Sequence, residues 1–126
     1  MQVKIDTKEK FHAITIDESN LAANMTAELD QCLLPILQKE VKNIVLILKD
    51  TQNIDGAAAE CLVQIQQAFY DAGSSFVICE LTEEVEKSLE ASGLLELMNV
   101  TPTESEAWDI VQMEELEREL LNGPDL

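Results

Sequence analysis

The sequence predicts a single α/β domain, a small mixed β-sheet of four to five strands packed with about four helices in the order ββαβαβα(β)α. Three observations carry this. An unbroken apolar run of strand length, 44–48 (IVLIL), and a second buried-strand candidate, 75–79 (SFVIC), bracket one amphipathic helical pattern, the signature of a βαβ unit with parallel, buried strands. Ahead of them, 2–5 and 11–16 alternate polar and apolar residues around a polar TKEK turn, which reads as a hairpin. At 126 residues and 46% hydrophobic composition, the chain has the size of one domain and enough apolar side chain for a core.

Taken in order, the hairpin is followed by a loop, DESNLAANM, and then by a helix opening near Thr26, two residues before Glu28. Leu29, Cys32, Leu33, Ile36 and Leu37 fall on one helical face. Pro35 sits inside that pattern and removes a backbone donor, so the helix is expected to bend there or to begin later. The run 44–48, β-branched and aliphatic throughout, is the expected centre of the sheet. The next helix turns Cys61, Leu62, Ile65, Phe69 and Ala72 to one side and ends at Gly73. After the strand at 75–79, Thr82 with Glu83 and Glu84 opens a third helix whose Val85 and Leu89 face inward and whose stop is Gly93.

Residues 94–100 (LLELMNV) form a short connection with room for a last edge strand. Thr103 and Glu106 then make a T-x-x-E capping box for a final helix. Its expected inward stripe starts with Ala107, Trp108, Ile110 and Val111 and continues through Met113, Leu116 and Leu120, before Asn122-Gly123-Pro124 ends it. The division expected is a main domain over 1–111 and an acidic helical extension and tail over 112–126, which packs Leu116 and Leu120 on the body or mediates association.

Charge narrows the function. Eight basic against 25 acidic residues give a net charge of −17, which repels nucleic-acid phosphates and anionic lipid head groups. Neither nucleic acid nor a membrane surface is an expected partner. The imbalance is concentrated toward the end of the chain: residues 83–126 hold 2 basic and 13 acidic side chains. Such a surface suits a basic protein partner, though plain solvation is explanation enough for it. Cys32, Cys61 and Cys79 are odd in number and each lies in an apolar run, as expected of buried free thiols in a reducing compartment. With no stretch resembling a secretion signal or a membrane span, a cytoplasmic location is expected.

Chemistry finds little to work with. The sole histidine, His12, lies in an expected strand with no second histidine or nucleophile beside it in sequence, and the cysteines have no metal-site spacing, so neither catalysis nor a metal nor another cofactor is expected. Gly56 belongs to no phosphate-binding glycine pattern. The locally unusual place is 53–59, Asn53, Ile54, Asp55, Gly56, Ala57, Ala58 and Ala59, a run of mostly small residues joining the carboxyl end of the central strand to a helix. Partners and ligands gather at such ends of open α/β sheets. Asp55 suits a helix N-cap; the small side chains suit a docking shelf that Leu62 continues.

At this junction the sequence resembles the STAS domain of bacterial anti-sigma factor antagonists. The shared order is a hydrophobic strand, a D-S-S-G loop, an amphipathic helix, a further strand and an acidic helix before Gly-Leu. The likeness runs from the opening hairpin to about Val111, with its closest local match at Ser92 to Ala107 (SGLLELMNVTPTESEA).

The resemblance implies a protein-interaction module that binds an anti-sigma factor of the serine-kinase type, without enzymatic activity of its own. It also implies that the second serine of D-S-S-G is the phosphoacceptor. Aligning Asp55 with the motif aspartate sets Gly56 on the first serine, Ala57 on the acceptor and Ala58 on the glycine. Ala57 has no hydroxyl, so this off-switch is absent. The nearest hydroxyls are Thr51, Ser74 and Ser75. An alternative function is a regulatory STAS-like domain that binds a small ligand, a nucleotide or a subunit of another complex such as a transporter. A homodimer is compatible with either.

Overall fold

The computed structural model describes residues 1–121. The two opening strands, β1 (Val3–Thr7) and β2 (His12–Ile16), pair antiparallel with Val3 opposite Ile16. The central run becomes β4 (Ile44–Ile47), parallel to β2 on one side and to β6 (Phe76–Cys79) on the other, and β7 (Val100–Thr101) closes the far edge. The sheet order is β1-β2-β4-β6-β7. The sheet is therefore mixed, and the expected central strand is central.

The unbroken apolar runs are explained by what covers the two faces. Strand side chains alternate: Ile14, Leu46 and Ile78 meet one helical layer, while Ala13, Val45, Ile47, Val77 and Cys79 meet another. On the first face pack α1 (Thr26–Leu33), α2 (Gly56–Asp71) and α3 (Glu83–Ser92), through Leu29, Leu33, Leu62, Ile65, Phe69, Val85 and Leu89. On the second lies α4 (Glu104–Leu121) alone, through Ala107, Val111 and partly Trp108 and Ile110; Trp108 stacks on Phe11 at 4.9 Å between ring centres. A strand apolar on one face only could not sit between two layers.

Local signals explain most helix ends. The Thr82 hydroxyl accepts from the Val85 amide at the start of α3, and Gly93, at φ +77°, ends it in the left-handed conformation glycine adopts at low cost. The Thr103 hydroxyl accepts from the Glu106 amide at 3.2 Å, half of a capping box. Pro35 has the effect expected of it: α1 stops at Leu33 and a 3₁₀ turn, Leu34–Gln38, carries the chain on. No side chain caps the start of α1, which follows a 3₁₀ turn at Ala23–Met25.

Three features differ from expectation. The loop after β2 contains a two-residue strand, β3 (Asn20–Leu21), paired in parallel with β5 (Asn53–Ile54); strands this short leave no periodicity in sequence. Ala72 is exposed instead of inward, because α2 has already ended at Asp71.

The third difference concerns α4, whose inward stripe ends at Val111. Met113, Leu116 and Leu120 are 59%, 56% and 74% exposed. The reason is length: four-residue strands span about 13 Å, whereas the 18 residues of α4 extend about 27 Å at 1.5 Å per residue. Past Val111 the helix leaves the apolar sheet and meets the polar residues that precede the strands. There Glu115 accepts from Asn43 Nδ2 at 2.7 Å, Arg118 donates to Ser75 Oγ at 3.1 Å, and Glu114 accepts from the Tyr70 hydroxyl at 2.7 Å. Polar residues take the inward side and the leucines are left outside. The helix crosses the expected 111/112 division without a break; the stop at Asn122-Gly123-Pro124 lies outside the described residues.

Candidate functional site

The junction after the central strand is held from three directions. Thr51, fully buried, donates through its hydroxyl to the Glu18 carbonyl at 2.9 Å, and its own carbonyl accepts from the Thr82 hydroxyl at 2.8 Å. The amides of Gln52 and Asn53 both donate to the Ser19 carbonyl, and the Asp55 amide donates to that of Leu21. Asn53 Nδ2 reaches Asn20 Oδ1 at 2.7 Å. The small β3–β5 ladder is thus a clamp that fixes where α2 begins.

Asp55 occupies the N-cap position of α2 with extended backbone, as expected, but its side chain does not cap that helix. Its Oδ2 accepts instead from the Ala23 amide at 3.1 Å. The cap residue ties two segments together and leaves the first turn of α2 without an acidic side chain.

The expected shelf divides by exposure. Asn53, Asp55, Gly56 and Ala57 are exposed at the carboxyl end of the sheet, whereas Ile54, Ala58, Ala59 and Leu62 are buried in the core under α2. A partner can therefore touch only the first group; the other four support it from beneath. Nothing lies within 4 Å of where a side chain on Gly56 would begin. Glu60, Lys49 and Asp50, all exposed, extend the surface. The alternative hydroxyls are closed off: Thr51 and Ser75 have no exposure and Ser74 has 3%.

Other chemistry-bearing groups have structural partners. His12 is buried, with Nδ1 2.9 Å from the Thr7 hydroxyl and Nε2 2.9 Å from the Val41 carbonyl, so the ring bridges the hairpin and the entry to β4. Cys61 and Cys79 are buried free thiols and Cys32 is half-buried. Burial, reinforced by Asp30 at 3.5 Å, pushes the Cys61 thiol up to about 11, and burial beside Glu80 and Glu104 pushes Cys79 up to about 12. Such thiols are poor nucleophiles and poor metal ligands at neutral pH. Among the described residues, no group of three or more His, Cys, Asp and Glu side chains is placed to hold a metal ion, and no helix is long and apolar enough to cross a membrane.

Comparison with known proteins places this geometry. The profile of the STAS domain matches residues 2–107. No curated protein matches the chain by sequence. Among solved structures, the chain is similar to an anti-sigma factor antagonist from Mycobacterium paratuberculosis, with TM-score 0.75, 11% identity, and 88% of this chain and 93% of that one covered. It is similar also to a serine-to-glutamate variant of Moorella thermoacetica RsbS, with TM-score 0.73, 20% identity, and 94% and 99% covered. A third similar structure is the anti-sigma factor antagonist SpoIIAA in its unphosphorylated form, with TM-score 0.68, 17% identity, and 88% and 96% covered. At these identities the likeness is one of fold.

Proposed function

We propose, from the premise that the chain belongs to the STAS domain family, that it is a non-enzymatic interaction module acting as an anti-sigma factor antagonist. It docks on an anti-sigma factor of the serine-kinase type through Asn53, Asp55, Gly56 and Ala57 and so regulates transcription from the cytoplasm. One observation carries the reading: in the first turn of α2, where the resemblance puts the phosphoacceptor, the chain presents an exposed alanine directly after a hydrogen-bonded, clamped loop. Rigid, small-residue surfaces let a partner's backbone approach closely and cost little entropy on binding.

An alanine there cannot receive the phosphate that would add about −1.5 to −2 charges to the contact. Of the hydroxyls nearest in sequence, Thr51, Ser74 and Ser75 are buried and do not replace it, whereas Ser19, whose carbonyl holds the Gln52 and Asn53 amides, is exposed. The antagonist is therefore not switched off by phosphate at Ala57, and its activity at this contact is set by its amount.

The test is recovery of partners on tagged wild-type and Ala57→Glu protein from the native cytoplasm, read by mass spectrometry. Wild type is expected to retain an ATP-binding anti-sigma factor that Ala57→Glu loses, while the two melt alike, because a first-turn glutamate at an exposed site suits the helix dipole. Equal recovery by both proteins, or recovery of no such factor, overturns the proposal.

A further inference from the structure

Helix α4 is amphipathic in the reverse of the usual sense over its last two and a half turns. Glu114, Glu115 and Arg118 face the body and are partly buried, while Met113, Leu116, Leu120 and Leu121 face outward at 59%, 56%, 74% and 84% exposure. The spacing i, i+3, i+7 aligns Met113, Leu116 and Leu120 on one face, with Leu121 to its side beyond Glu117. Single exposed leucines are ordinary; a contiguous apolar stripe on a helix marks a contact surface. The inner face is fixed by hydrogen bonds from Tyr70 to Glu114 and from Asn43 to Glu115, so the helix cannot roll its leucines inward without breaking both.

Charge decides what covers the stripe. Its exposed borders on α4 are Asp109, Glu117 and Glu119. A second copy would bring the same acids against themselves, and like charges facing each other across an interface are unfavourable. Anionic lipid is repelled on the same grounds.

We propose that the outer face of α4 is a docking site for an amphipathic helix of another protein, apolar on one side and flanked by Lys or Arg. The leucine stripe takes the apolar face, and Asp109, Glu117 and Glu119 pair with the basic borders, the helix-on-helix mode of peptide recognition. The site lies on the opposite face of the sheet from α2 and is independent of the Ala57 surface.

The probe is a designed 18-residue Leu/Lys amphipathic helical peptide, with a Leu/Glu peptide of the same pattern as control, titrated onto the full chain by NMR with methyl-labelled leucine. The Leu/Lys peptide is expected to shift the Leu116, Leu120 and Leu121 methyl signals, and the Leu/Glu peptide to leave them unmoved. Leu116→Ser with Leu120→Ser is expected to weaken binding at least about tenfold, the loss typical of an interface anchor, with an unchanged melting temperature since neither residue is in the core. Ala57→Glu is expected to bind the peptide as wild type does. Shifts that map elsewhere, or affinity unaffected by the double substitution, overturn the proposal. So does a wild-type dimer in sedimentation that the double substitution splits, which would assign the face to a second copy.

Discussion

The Asp55 carboxylate and the Ala23 amide, 32 residues apart in sequence, are joined by a 3.1 Å hydrogen bond. The N-cap residue of α2 thereby serves the loop that precedes α1 instead of its own helix. Asp55→Ala removes the tie and leaves the Ala23 amide to solvent. The expected cost is about 1 kcal/mol, the ordinary net value of one hydrogen bond, read as a lower urea midpoint at constant slope. Asp55→Asn, whose amide oxygen can still accept, is expected to recover most of it. If instead Asp55→Ala costs nothing, the bond does not fix the clamp.

Gly56, next in the chain, has an ordinary negative-side backbone conformation and open space where a Cβ would stand. Gly56→Ala restricts the unfolded chain and strains nothing in the folded one, so it is expected to stabilise by about 0.4–1 kcal/mol. Chemical denaturation checks this. A decrease would mean that the first residue of α2 is held in a conformation only glycine tolerates.

Much of this architecture was legible because it rests on signals that act locally. The run 44–48 reads as central since only a strand between two layers can be apolar at every position, and Thr82 and Gly93 bound α3 by chemistry within four residues. The β3–β5 clamp was not legible, because Asn20 and Asn53 meet through a pairing two residues long, which no pattern announces. The shelf was half legible: helical spacing fixes that Ala58, Ala59 and Leu62 share a side, but only packing says that this side is the core. The α4 stripe misled for a related reason. Periodicity says which residues share a face and not how far the sheet beneath extends, so it extends the inward stripe through Met113, Leu116 and Leu120 although the core ends at Val111.

The Tyr70 hydroxyl links the two helical layers around the end of the sheet, donating to Glu114 Oε1 at 2.7 Å and accepting from Asn99 Nδ2 at 2.6 Å. Tyr70→Phe deletes both bonds and leaves a partly buried amide and carboxylate without that partner. A loss of about 1–2 kcal/mol is expected. Hydrogen exchange should show faster opening of the α4 amides beyond Val111 than of those before it. Uniform acceleration along α4 would show that the contact does not hold its distal half in particular.

Alkaline pH tests the buried acids together. Burial raises Cys61 to about 11 and Cys79 to about 12 from an ordinary value of 9.0, and burial with the Glu114 carboxylate raises Tyr70 to about 12 from 10.0. Each group holds its proton more tightly folded than unfolded. The stability this contributes is complete below the unfolded value and is lost as pH rises toward the folded one. The urea midpoint is therefore expected to be unaffected by these groups up to about pH 8.5 and to fall between about pH 9 and 12. Tyr70→Phe should flatten only the part of the fall above about pH 10. The same burial orders thiol reactivity at about pH 8: half-buried Cys32 is modified first, while Cys61 and Cys79 react only as the protein unfolds. Rapid modification of all three in the native state would contradict the buried environment of the latter two, and with it the packing of α2 and α4 on opposite faces of the sheet.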